Sequence, residues 1–225
     1  MRPCLMLRIS MSVCFFMTIA GALNAQTDVA LSAYGAFSKT ASGNNVSQSQ
    51  ATQAGVLFEL RHISNPLVGY EFAYSYNRAN QQYAEKVTPP CPTGDVNCFV
   101  VGAASAAGSA HEITGDWVFS MKFANLRPFV LAGGGLMVNA ASSAEMSGCY
   151  LMNPLCGRFP TPANSSTTGV FVYGAGLDWG LLPHLGLRLQ YRGNVYKAPD
   201  LVNVVPSTNA FMHTAEPMVG AYFRF

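Results

Sequence analysis

The 225-residue sequence predicts an all-β fold, an eight-stranded antiparallel up-and-down transmembrane β-barrel with three short turns at one end and four long loops at the other. Three observations predict it. Apolar and polar residues alternate with period two over segments of about ten residues, the signature of half-buried strands. Connections alternate between tight and long. Charge is scarce, at 11% of residues against a usual quarter, and within the strands it keeps to one parity.

The first 25 residues stand apart. Arg2 and Arg8 precede an apolar run, Ile9 to Ala22, and small residues follow up to Ala22 or Ala25. This pattern predicts a secretory signal peptide cleaved after one of those alanines, leaving 26–225 as the barrel domain. A membrane helix needs roughly 20 apolar residues, more than this run supplies. Arg2 and Arg8 lie in that segment, so the 13 basic residues fall to 11 against 11 acidic ones. A neutral mature chain without clustered Lys and Arg excludes a nucleic-acid partner.

Eight alternating segments follow, near 28–38, 54–63, 67–77, 110–122, 127–137, 169–180, 185–196 and 212–225. In the third, Val68, Tyr70, Phe72, Tyr74 and Tyr76 share one face, and Gly69, Glu71, Ala73, Ser75 and Asn77 the other. The seventh repeats the arrangement, with Leu185, Leu187, Leu189 and Tyr191 opposite Gly186, Arg188, Gln190 and Arg192. The fifth, RPFVLAGGGLM, is so rich in small residues that its faces stay unassigned, and its glycines predict close strand packing. A proline inside the last segment, Pro217, predicts a bulge.

Turns at 64–66, 123–126 and 181–184 are short, whereas 39–53, 78–109, 138–168 and 197–211 are long and rich in Ser, Asn, Gly and Pro. This asymmetry puts the turns on the periplasmic side and the loops outside the cell. Faces assigned outward carry no charge: Val56, Phe58, Leu60, Ile113, Trp117, Phe119, Phe171, Tyr173, Leu177, Trp179, Val219, Phe223 and Phe225. Inward parity belongs to Glu59, Arg61, Glu71, Glu112, Asp116, Lys122, Asp178, Arg188, Arg192, Glu216 and Arg224, six acids and five bases. A soluble ligand-binding barrel would show the reverse, so lipid is expected outside and a plug of paired charges inside. A polar ion path through the same residues is the alternative.

Outside the signal segment the cysteines form two sets of identical spacing, Cys91 with Cys98 and Cys149 with Cys156, each within one long loop. Of the three connectivities, two local bridges are favoured over a metal site, since an exported chain meets an oxidising compartment and neither loop holds a His. Their bridges would stiffen loop tips, either for stability alone or to lower the entropy lost on binding a surface ligand.

A terminal Phe after alternating aromatics, Phe223 and Phe225, resembles the signal by which outer-membrane barrels engage the barrel assembly machinery. The run at 127–135 is similar to the fifth strand of opacity-like proteins. Residues 27–225 thus resemble the eight-stranded family that includes the membrane domain of outer-membrane protein A, outer-membrane protein X and the opacity proteins. That resemblance implies a monomer in the cell outer membrane of a Gram-negative bacterium, with outer-membrane lipid as partner, no cofactor, and a structural or adhesin-like role. A channel and a lipid A-modifying enzyme are the alternatives. Against the enzyme, the last strand reads His213-Thr214-Ala215-Glu216, with Ala215 where barrel deacylases carry the nucleophilic Ser. Gly133 to Gly135 open no dinucleotide fingerprint, because Val138 stands at its third glycine position and no helix is expected. No catalytic or metal-ligating set is expected.

Overall fold

The computed structural model describes residues 26–64, 67–85, 99–150 and 156–225. The predicted signal segment and Cys91 and Cys98 lie outside the described residues. Among the described residues twelve strands form, all antiparallel in pairing: β1 (Gln26–Ser38), β2 (Ala41–Gly43), β3 (Val46–Gln50), β4 (Gln53–Ile63), β5 (Val68–Arg78), β6 (Gln81–Glu85), β7 (Phe99–Ser120), β8 (Leu126–Tyr150), β9 (Cys156–Thr161), β10 (Ser165–Gly180), β11 (Leu185–Lys197) and β12 (Phe211–Arg224). Eight of them close a ring in the order β1-β4-β5-β7-β8-β10-β11-β12, and β12 returns to β1 from Asp28↔Arg224 to Ser38↔Thr214. Closure follows from the solvent. In hydrocarbon an unpaired backbone group costs several kcal/mol, so a sheet edge is not tolerated there.

Alternation sorts the side chains as period-two patterning requires. Phe58, Phe72, Trp117, Phe171, Trp179, Leu189 and Val219 are exposed on the outside, whereas Glu59, Glu71, Asp116, Asp178 and Arg188 are buried within. Leu177 is half-buried. The fifth barrel strand, β8, turns Phe129, Leu131 and Met137 inward and Val130 and Leu136 outward. Its glycines let β7 come close: a Cβ on Gly135 would sit 1.9 Å from the Ile113 carbonyl oxygen, and one on Gly133 2.2 Å from that of Gly115.

Two expectations require correction. Three of the four long loops, 39–53, 78–109 and 138–168, contain strand. β2, β3, β6 and β9 carry β1, β4, β5 and β10 onward after interruptions at 39–40, 51–52, 79–80 and 162–164, while β7 and β8 run through unbroken. The wall therefore rises past the barrel as an open six-stranded sheet, β2-β3-β6-β7-β8-β9. A Gly43-Asn44-Asn45-Val46 reversal with both asparagines at positive φ (49° and 62°) makes the β2–β3 hairpin. The β7–β8 ladder slips beside Gly102 and near Ser142, whose hydroxyl donates to the Ala107 carbonyl at 3.0 Å. Pro217 makes no bulge. Pairing with β1 stops at Tyr34↔Met218 and resumes at Phe37↔Ala215 in the same register, and the Tyr191↔Pro217 pair on the other side is kept. A missing N–H removes a bond without forcing in an extra residue.

The β7–β8 approach gives a direct test. Gly135→Val drives a side chain into the β7 backbone, and the folded fraction should collapse, read as loss of the fast-migrating band in heat-modifiability gels. A folded, wild-type-like Gly135→Val barrel would contradict this packing.

Candidate functional site: the filled lumen and its cap

Seven acids and four arginines are buried among the described residues: Asp28, Glu59, Glu71, Glu112, Asp116, Asp178 and Glu216 with Arg61, Arg127, Arg188 and Arg192. A near-even balance of charge inside is therefore corrected to an acidic excess. Lys122 is exposed beyond the end of β7, and Arg224 is half-buried at the turn-end mouth, because both stand where strands leave the barrel. Asp28 and Arg127, buried here, were not among the residues picked from the sequence, although Asp28 shares inward parity with Ala30 and Ser32 in β1.

The network has two tiers. Toward the turns, Arg61 (β4) binds Glu71 of β5 at 2.6 Å and Asp178 of β10 at 3.2 Å. Arg188 (β11) reaches Asp178 at 2.7 Å, Asp28 at 2.8 Å and Glu59 at 3.4 Å. Five strands are thus tied through two guanidinium groups. Each delocalised fork supplies five donors in fixed directions, which a point-charge ammonium does not. The Phe129 ring closes the tier, with the Arg61 guanidinium carbon 3.9 Å from its centre. Nearer the loops, Arg192 lies 3.4 Å from Glu112 and 3.5 Å from Asp116, and donates to Thr114 at 3.0 Å. Asn194 donates to Glu112 at 3.0 Å.

Above the ions the lumen becomes neutral and then apolar. Tyr196 meets Gln50 at 3.1 Å and Thr214 at 3.0 Å, and Gln48 donates to Gln81, Tyr83 and the Pro199 carbonyl. Burial raises the Tyr83 phenol above its ordinary range, so it stays a donor, to Pro199 O at 3.0 Å. The β11–β12 connection then folds into the opening. Leu201, Val202 and Val205 pack against Val46, Tyr83, Ala104 and Ala144, and Val202 bridges to Ala163. An internal cavity of about 10 Å³ beside Glu112 and Glu216 holds no more than one water.

The histidines lie outside it. His62 contacts Tyr70, His111 Tyr74 and Tyr76, His213 Tyr173 and His184 Phe223, each on the outer surface. Tyr173 and His213 share a 2.7 Å hydrogen bond. The four are spread over both ends of the barrel in two belts of amphipathic rings, as membrane interfaces favour. Phe223 and Phe225 pack edge-to-face at 5.2 Å and are exposed at the turn end. In the β8–β9 ladder, Cys149 stands directly opposite Cys156.

No protein-family model and no curated protein matches the sequence. Solved structures do. The outer membrane protein OprG of Pseudomonas aeruginosa superposes with a TM-score of 0.50 at 8% identity, over 88% of this chain and 95% of that one. The chain has the outer-membrane β-barrel fold. Ail, the attachment invasion locus protein of Yersinia pestis, scores 0.48 at 14% identity, and Neisserial surface protein A 0.45 at 15%, each over 90% of this chain and 100% of its own. A closed barrel of this fold with an apolar, ring-belted exterior belongs in the outer membrane, where lipid meets that surface.

Removing one member of the lower tier leaves its partners charged and buried. Arg188→Met should destabilise the barrel by about 3–5 kcal/mol, and adding Asp178→Leu should recover part of that loss. Chemical unfolding followed by the fluorescence of Trp117 and Trp179 reads both. Wild-type stability should hardly change in 1 M salt, since screening acts on exposed pairs.

Proposed function

We propose that the protein is a non-conducting, monomeric outer-membrane barrel with a surface-interaction role, acting through the sheet raised above its loop end. The observation that carries this reading is the cap: Leu201 and Val202, at 0% and 1% exposure, sit over a lumen already crossed by Arg192 and Arg188. A conducting pore has no use for an apolar lid over a salt-bridged core. A rigid display platform gains from both, because each restricts motion of the wall that carries the surface sheet.

The outer face of that sheet is small and hydroxylated. Ladder pairs place Ser47, Ala84, Ala103, Ser147 and Arg158 in one row across β3, β6, β7, β8 and β9, with Ser49, Gln82, Ser105 and Glu145 in the next. Together they line a shallow cavity of about 430 Å³. Short hydroxyl and amide side chains in register offer hydrogen bonds at little entropic cost, which suits a polar partner. The reading includes no catalytic role: His213 is held by Tyr173 on the lipid face, with Ala215 two residues on. It also assigns Phe223 and Phe225 to recognition by the barrel assembly machinery during insertion.

In planar bilayers the wild-type protein should give no conductance steps, and cells whose barrel lacks 144–161 should lose attachment to host cells or matrix while the shortened barrel still folds. Steady steps from the wild type, or unchanged attachment, would remove the basis of this reading.

The same reading includes a cross-strand bridge between Cys149 and Cys156 and a second between Cys91 and Cys98. Closing eight residues stabilises by about 2.5 kcal/mol in the chain-entropy model. Thiol titration of the unfolded mature protein should find no free thiol without reductant, and one in each of Cys149→Ser and Cys156→Ser. Two bridges linking the loops to each other would instead reveal themselves as a cross-linked peptide pair after proteolysis.

A further inference from the structure

Two arginines on the inner side of the barrel form no salt bridge among the described residues, although Arg127 stands opposite Asp178 in the β8–β10 ladder. Arg127 donates through Nη2 to Gln26 at 2.7 Å, while its Nη1 has no hydrogen-bond partner although the residue is 8% exposed. Arg224 donates through Nη2 to the Tyr222 hydroxyl at 3.3 Å, its guanidinium carbon 5.3 Å from that ring's centre, and its buried Nε is likewise unpartnered. Both side chains and Lys122 line one cavity of about 390 Å³ at the turn-end mouth, between the 121–126 and 181–184 connections.

The only carboxylate among the cavity's described lining residues is already taken. Asp178 accepts from Arg188 Nε through one oxygen, and from Arg61 and Arg188 through the other. Three cationic side chains therefore converge on a space where Asp178, committed to Arg61 and Arg188, forms a salt bridge with none of them. Like charges gathered in this way repel, and a buried guanidinium with an unspent N–H carries an added desolvation cost. Both costs vanish when an anion occupies the space.

The framework around the cavity is fixed by main-chain contacts. The Gly180 amide donates to the Asn125 carbonyl at 2.8 Å, joining the two turns, and the Arg224 amide donates to the His184 carbonyl at 2.8 Å. His184 Nδ1 in turn lies 3.0 Å from the Arg224 carbonyl. These bonds fix the two turns and the end of β12 that carries Arg224 before any ligand arrives, which lowers the entropy lost on binding.

We propose that the turn-end mouth is a binding site for a phosphate group, held by Arg127, Arg224 and Lys122. Phosphate suits donors that approach from three different strand ends, since it presents oxygens in several directions and accepts guanidinium forks with strong charge-assisted bonds. Leu126, Leu181 and Leu182 are exposed on the rim of the same cavity, where the acyl chains of a periplasmic-leaflet phospholipid would lie. Free phosphate from the periplasm offers the same headgroup chemistry without those chains.

Thermal unfolding of the purified mature barrel in a zwitterionic detergent separates these sources. Inorganic phosphate should raise the midpoint saturably by several degrees, where chloride of equal ionic strength does not. The apparent affinity should fall at least tenfold in Arg127→Gln, and also in Lys122→Gln/Arg224→Gln, which leaves the Gln26 contact intact should the first variant fold poorly. Loss of the phosphate effect in phosphatidylglycerol nanodiscs, relative to the barrel in a zwitterionic detergent that contains no phosphate, assigns the site to a lipid headgroup, and its persistence assigns it to free phosphate. Equal responses to phosphate and chloride, or unchanged affinity in the double variant, would overturn the proposal.

Discussion

The pairing of β1 with β12 is the constraint on which the structure depends. Hydrocarbon offers no hydrogen bonds to a backbone, so the sheet closes or does not insert. Eight strands then leave an interior only wide enough for side chains. Everything inside follows from that narrowness. Strand parity sends one face of every strand to lipid, and the other face has to fill the lumen and satisfy its own polar atoms. Guanidinium groups meet both demands at once: Arg188 alone reaches acids on β1, β4 and β10. Its neighbour Arg61 shares Asp178, adds Glu71 of β5 and stacks on Phe129.

Where lipid contrasts with lumen, the sequence is easily read. In β5, five apolar or aromatic residues alternate with five small or polar ones, and the strand follows the alternation residue by residue. Contrast fades where water bathes one face and small residues pack the other. Residues 99–109, FVVGAASAAGS, and 138–148, VNAASSAEMSG, are strand in the structure, yet their two parities differ little in polarity, so no period emerges. The β2–β3 hairpin did leave a mark, since Asn44-Asn45 after Gly43 is a two-residue reversal signal. β8 is the intermediate case. Its glycines erase the alternation because β7 approaches too closely there for a Cβ.

The lumen was legible in kind but not in balance. Parity identifies which charges turn inward, and it does so for Glu59, Glu71, Arg188 and Arg192. It does not say how far along the barrel each one lies. Lys122 and Arg224 share inward parity but stand at strand ends, and the excess of acids over arginines inside follows once they are moved to the rim. Nor does local pattern reveal the cap. The apolar run Leu201-Val202-Asn203-Val204-Val205 sits between prolines in a stretch with loop composition, and its burial depends on contacts with β3, β6 and β7 that no local pattern encodes.

The distribution of charge along the axis has a consequence for how the barrel meets its two compartments. Acids outnumber arginines within the wall, while Arg127, Arg224 and Lys122 gather at the turn-end mouth. The two ends therefore present different chemistry. At the loop end, an apolar cap and a sheet face made mostly of hydroxyl, amide and small side chains, with Arg158 and Glu145 of opposite charge among them, favour short-range, shape-dependent contacts over electrostatic steering. At the turn end, unspent cations face a leaflet whose headgroups carry phosphate. A barrel held at its base by charge and closed at its top by packing has its mobile degrees of freedom removed at both ends. What remains is a stiff support for the raised sheet, with the ionic core acting as a brace between strands.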